Sequence, residues 1–121
     1  MSTKGLQPIL AEMASLSGVV GCALVEVATG MVWEFSGSIE ALTTLAEATS
    51  DYWRLYQRLQ SNFDQVGELR ACVMMHASGR ITLLPCGSGL LLVTVTLQNA
   101  QIDWAQWQQK TRSLSMVVNR V

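Results

Sequence analysis

One histidine, His76, and three cysteines, Cys22, Cys72 and Cys86, are the groups in this 121-residue chain from which nucleophilic or metal chemistry would have to be built. His76 stands at the end of an apolar run, just before Ala77-Ser78-Gly79. A general base must reach a nucleophile or a substrate proton. Cys72, four residues earlier on the same strand face, lies about 13 Å away at strand rise, so the two cannot form a direct dyad. The cysteines are odd in number, widely spaced and set among apolar residues. That pattern fits neither a disulfide framework nor the closely spaced pairs that preorganise zinc. They read as reduced core thiols, and His76 as a strand-end histidine meeting solvent.

Other motifs reduce in the same way. Gly87-Ser88-Gly89 has the composition of a phosphate loop, but a phosphate cradle needs a helix N-terminus after it, and the apolar run Leu90–Val93 follows instead. A hairpin turn is the better reading. Trp104 and Trp107 fall on one helical stripe, which makes them core rather than an aromatic cage for a cation. No catalytic constellation and no cofactor or metal site emerges, and the chain is expected not to be an enzyme.

Half of the residues are hydrophobic, 14% are charged, the mean hydropathy is +0.28 and the formal net charge is −1. An average soluble domain carries about 25% charged residues, so this chain must fold and has apolar surface to hide. Eight Lys and Arg against nine Asp and Glu, with no basic cluster, cannot supply the phosphate contacts that nucleic-acid binding requires. The longest apolar runs, Val19–Val25 and Leu90–Val93, fall short of the roughly 18 residues of a membrane span. Gln7, Pro8 and Glu12 interrupt any signal-like segment. One cytoplasmic domain over residues 1–121, without nucleic acid or membrane as partner, is expected.

The elements follow from periodicity. Leu6, Ile9, Leu10, Met13 and Leu16 mark a first helix over Leu6–Leu16, ended by Ser17-Gly18. Val19–Val27 is apolar at both parities, as a strand buried on both faces is. Met31–Phe35 returns from Ala28-Thr29-Gly30 as a second strand. The main helix is predicted over Ile39–Asn62, with Ser38 as N-cap and Glu40 in the first turn. Alternation then marks three further strands around Leu69–Met75, Ile81–Leu83 and Leu91–Leu97. Asp103 and Gln106 make a capping-box arrangement before a last amphipathic helix carrying Trp104, Trp107, Thr111, Leu114 and Val118. The order α-β-β-α-β-β-β-α implies an α+β fold: a five-stranded antiparallel sheet with helices on both faces.

The main helix has more apolar surface than one sheet can cover. Ala41, Leu45, Ala48, Tyr52, Leu55 and Leu59 form one stripe; Ile39, Leu42, Ala46, Thr49, Trp53 and Tyr56 form another about 100° away. Packing on a sheet uses an arc of that order once, not twice. No second long helix exists to lie beside it, so a copy of the chain is the expected cover, with the second stripe packed across a two-fold axis.

The segment Gly18-Val19-Val20-Gly21-Cys22-Ala23-Leu24-Val25-Glu26, then Gly30 at the hairpin, the long Leu/Ala-rich helix, Gly67-Glu68-Leu69, Leu83-Leu84-Pro85-Cys86-Gly87 and Leu90-Leu91-Leu92-Val93 together resemble the Roadblock/dynein-light-chain family. That family is similar in architecture to longin and profilin-like domains. Two places depart from it: Ala28-Thr29-Gly30 stands where the family often has an acidic residue and Gly, and Gln98–Asp103 enters the last helix differently. The resemblance implies a non-catalytic homodimer whose main helices pair and whose third strands join edge to edge into one continuous sheet. Leu42, Ala46, Thr49, Trp53 and Tyr56 on the helix, with Leu69, Ala71 and Val73 on the strand, would then form the interface. Glu68, Arg70 and His76 agree with an edge position for that strand.

Family members bind Ras-like small GTPases as activating or positioning partners, or serve as scaffold subunits of motor and signalling complexes. The resemblance places the docking surface around Glu47, Asp51, Arg54 and Arg58; nothing local supports an arginine finger there. The alternative is a small-molecule sensor of the PAS or GAF type. It would need convergent polar groups between helix and sheet, where the predicted core faces are almost wholly apolar. A cysteine-dependent enzyme would need a depressed thiol pKa.

Overall fold

The computed structural model describes residues 5–119, so the limits of the expected domain, 1 and 121, lie outside the described residues. The elements run α1 (Leu6–Ala14), β1 (Val19–Glu26), β2 (Val32–Gly37), α2 (Leu42–Leu59), a 3-10 helix (Gln60–Val66), β3 (Cys72–Met75), β4 (Gly79–Pro85), β5 (Leu90–Leu97) and α3 (Trp104–Val118). The five strands form one antiparallel sheet in the order β2-β1-β5-β4-β3. The two runs that are apolar at both parities, β1 and β5, lie side by side inside it. Their continuous apolar runs, rather than alternation, go with cover on both faces.

On one face, α1 and α3 bring Leu6, Leu10, Met13, Trp107, Leu114 and Val118 against Cys22, Leu24, Leu84, Leu90 and Leu92. On the other, α2 alone brings Leu42, Ala46 and Trp53 against Ala23, Val25, Ile81, Leu83, Leu91 and Val93. Gly21 and Gly37 oppose each other where β1 meets β2. A Cβ on Gly37 would lie 2.3 Å from Gly21 Cα, and one on Gly21 would lie 3.0 Å from Leu42 Cδ2. The glycine pair therefore makes the seat on which the first turn of α2 rests. The Asp103 carboxylate accepts the Gln106 N–H at 3.1 Å, which is the N-cap bond expected of α3.

Three expectations change. The main helix begins at Leu42, and its first turn holds no acidic residue, because Ser38 is held by β1 instead: its N–H donates to Val20 O at 2.9 Å. Beyond Leu59 the helix tightens into 3-10 geometry until Gly67, where φ is +86°. The third strand pairs only from Cys72 to Met75, so Leu69–Ala71 lies outside the ladder. Among the described residues no helix is long and apolar enough to cross a membrane.

Candidate functional site: an open helix face beside a bare sheet edge

The two stripes of α2 point opposite to the expected way. Leu42, Ala46, Thr49 and Trp53, expected at a partner chain, are buried against this chain's own sheet, Trp53 to 7% exposure. Tyr52, Leu55 and Leu59, expected inside, are 60%, 44% and 44% exposed. A helix approaches strands most closely through small side chains, and Ala46 and Thr49 permit this while Leu42 and Trp53 fill the gap on either side. Thr49 hides its hydroxyl by donating to Ala46 O at 3.0 Å. Tyr56 is half-buried, its ring stacked on Phe63 with centroids 5.1 Å apart.

The third strand is turned in the same sense. Cys72 and Met74, with Leu69 from the preceding segment, pack toward α2, while Ala71 is exposed and Val73 is 53% exposed. Leu69 and Cys72 share a face although their spacing is odd, because the chain is not extended in a ladder between them. Of the strand residues expected at an interface, Val73 and Ala71 therefore point away from the helix layer. Between the outer face of α2 and β3 runs a groove of about 500 Å³, lined by Tyr52, Leu55, Leu59, Phe63, Met74 and His76 among others. Phe63 had no distinguishing pattern in the sequence. Residue size gave no signal either, since the exposed stripe also holds the small Ala41 and Ala48 and the buried stripe holds Trp53.

The sheet edge beside this groove is bare. β3 is the last strand of the sheet, and among the described residues no side chain hydrogen-bonds to its backbone. At the opposite edge, the Phe35 N–H donates to Glu34 Oε1 at 3.3 Å. There Gln7 of α1 donates through its side-chain nitrogen to Phe35 O at 3.2 Å and to Glu34 Oε1 at 2.7 Å.

The four residues expected to dock a partner do lie along one side of α2. Glu47, Asp51 and Arg54 line a depression with Thr29, Gly30 and Met31, and Arg58 adjoins it with Asp51 and Leu55. Arg54 is not free. Its Nη1 donates to Val27 O at 2.5 Å and to Ser50 Oγ at 3.2 Å, and the guanidinium pairs with Asp51. Ser50 Oγ in turn donates to Glu47 O at 2.6 Å. Gly30, with φ +77°, lets the hairpin close on this network, since a Cβ there would lie 3.3 Å from Ser50 Oγ. Arg54 thus clamps the β1–β2 turn to α2, whereas Arg58 is exposed.

The thiols and the histidine do not assemble into a reactive centre. Cys22 donates to Leu10 O at 3.5 Å and Cys86 to Thr111 O at 3.8 Å. Burial pushes both thiols up to about 12, the reverse of the depressed pKa a nucleophile needs. Cys72 and His76 both line the apolar groove. Trp104 and Trp107 meet edge to face at 6.5 Å, with Trp107 in the core. Among the described residues no group of three or more His, Cys, Asp or Glu is placed to hold a metal ion.

No family model matches the sequence, and no curated protein is significantly similar to it. The solved structures it is similar to are Roadblock/LC7 folds, and the α-β-β-α-β-β-β-α order around an antiparallel five-stranded sheet is that fold. A Roadblock/LC7 domain from Streptomyces avermitilis is 19% identical with a TM-score of 0.76, covering 99% of this chain and 97% of that one. MglB from Myxococcus xanthus is 13% identical with a TM-score of 0.85, covering 100% of both chains. An MglB described with a tetrameric arrangement is 17% identical with a TM-score of 0.80, covering 93% of this chain and 87% of that one.

Proposed function

We propose that the chain is a non-catalytic homodimeric regulator or scaffold that docks a Ras-like small GTPase, or a larger motor or signalling complex, on the surface of its paired α2 helices. One observation carries this reading: the bare β3 edge and the uncovered face of α2 adjoin across a single apolar groove. A second copy related by a two-fold axis supplies both missing partners at once, a strand for the edge and an apolar helix face for Tyr52, Leu55 and Leu59. The geometry limits how the strands can meet. Directly opposed residues of an antiparallel pair share a face, and both α2 helices must lie on one side of the joined sheet. The axis must therefore pass through a residue of β3 rather than between two.

Self-assembly is in keeping with the tetrameric arrangement described for one MglB. A small GTPase as partner is what the likeness to the Roadblock/dynein-light-chain family implies. Glu47, Asp51 and Arg58 line the docking side of α2, and Arg54 holds its shape through the hairpin clamp rather than serving as a finger toward nucleotide. The test is twofold. Sedimentation across a range of concentrations is expected to give a dimer, and a chain that stays monomeric throughout overturns the homodimer. Capture of small GTPases loaded with GTP or GDP is expected to depend on the nucleotide. A dimer that captures none in either state overturns the GTPase part.

A further inference from the structure

We infer that a second copy docks on β3 in one register, with the two-fold axis on Met74, so that Cys72 of each protomer lies opposite His76 of the partner subunit. This register presupposes the homodimer proposed above, and it follows from which backbone groups the bare edge presents. The His76 N–H donates to Gly79 O at 2.8 Å and closes the β3–β4 hairpin. Before it the ladder holds Met75 opposite Arg80, Met74 opposite Ile81, Val73 opposite Thr82 and Cys72 opposite Leu83. Hydrogen-bonded and non-hydrogen-bonded positions alternate along an antiparallel pair. Counting back from His76, Met74 and Cys72 bond toward β4, while Val73 and Met75 aim their N–H and C=O groups outward. Those two side chains are also 53% and 73% exposed.

Only one axis position gives both outward residues a partner within the strand. An axis on Val73 sets Met75 opposite Ala71, which lies outside the ladder. An axis on Met75 sets Val73 opposite Ala77, in the turn before Gly79. An axis on Cys72 sets Met75 opposite Leu69, again outside the ladder. With the axis on Met74, Val73 of each protomer exchanges its bonds with the partner's Met75, and the two cover each other on the face away from α2. Met74 meets the partner's Met74 on the face beneath the paired helices. Cys72 and the partner's His76 become directly opposed, with Cβ atoms about 4.5–5.5 Å apart. Thiol and imidazole, held about 13 Å apart along one strand, thus come within hydrogen-bond reach across the axis. The result is a Cys–His pair that neither chain holds alone, set in the groove that both residues line.

The test is disulfide trapping of the whole chain in a glutathione redox buffer, since Cα atoms more than about 7 Å apart cannot be bridged. Each axis position brings a different residue opposite its own copy, so single cysteines read the register directly. Met74→Cys in a Cys72→Ser background is expected to form a covalent dimer. Val73→Cys and Met75→Cys in that background are expected not to, and neither is the parent chain through Cys72. His76→Cys with Cys72 retained is expected to cross-link in trans. Cross-linking of the parent, of Val73→Cys or of Met75→Cys in place of Met74→Cys overturns the register and leaves the homodimer standing. Sedimentation of the reduced samples separates the two: a dimer that links at none of these positions overturns the register alone, and a chain monomeric throughout overturns both.

Discussion

The two edges of the sheet are built on opposite plans. At β2 the backbone of Phe35 has its N–H taken by Glu34 and its carbonyl by Gln7 from α1. Side chains of the same molecule thus occupy groups that another strand would otherwise use. Among the described residues β3 has no such cover, and Tyr52, Leu55 and Leu59 lie exposed beside it across the groove. Exposed edges are liabilities that proteins blunt unless the edge is for pairing. One edge is closed and the other left open with an apolar shoulder, and it is on the open edge that the proposed homodimer would pair.

This contrast can be broken from several sides. The largest effect is expected from Trp53→Ala, which removes a buried side chain from the inner stripe of α2. It should lower unfolding stability by about 3–5 kcal/mol, read from urea melts as a shift that persists at high protein concentration. Leu55→Glu on the outer stripe should leave unfolding of the isolated chain within about 0.5 kcal/mol. It should weaken the proposed self-association by about 2 kcal/mol per protomer, seen in sedimentation as a shift toward monomer relative to the parent. If both variants act alike, the inner and outer stripes have not been told apart.

Gln7→Ala combined with Glu34→Ala uncovers the β2 edge. A loss of about 1 kcal/mol is expected, together with species larger than a dimer in light scattering. A double variant that remains strictly dimeric would show that the side-chain cover on Phe35 does not matter for association. The smallest effect is expected from Thr94→Val, opposite Cys22 on the face covered by α1 and α3, where the buried hydroxyl has no hydrogen-bond partner among the described residues. Replacing it by an isosteric methyl should be neutral or stabilise by up to about 1 kcal/mol, read as an unchanged or raised Tm.

Much of the architecture was legible in the pattern of residues. The strands apolar at both parities became neighbours inside the sheet, the N-cap bond at Asp103 formed, and the third strand became an edge, although Glu68, Arg70 and His76 fall outside its ladder. Periodicity also found both stripes of the main helix. What it could not supply was which stripe faces inward, because two apolar stripes about 100° apart satisfy the same spacing rule. The docking residues illustrate the other gap. Glu47, Asp51 and Arg54 were recognisable as one side of a helix, but the bond from Arg54 to Val27 O joins positions 27 residues apart. No local pattern encodes that contact.

By itself, the sequence determined the element order, the two strands covered on both faces and the surplus of apolar surface on one helix, since these depend on neighbours within a few residues. Only the tertiary structure decided the orientation of that helix, the closed and open edges, and the role of Arg54 as a clamp. Those depend on how closely Ala46 and Thr49 let α2 approach the strands and on which side chains of α1 reach β2. They are questions of shape and distance between segments remote in the chain, and hydrophobic periodicity carries neither.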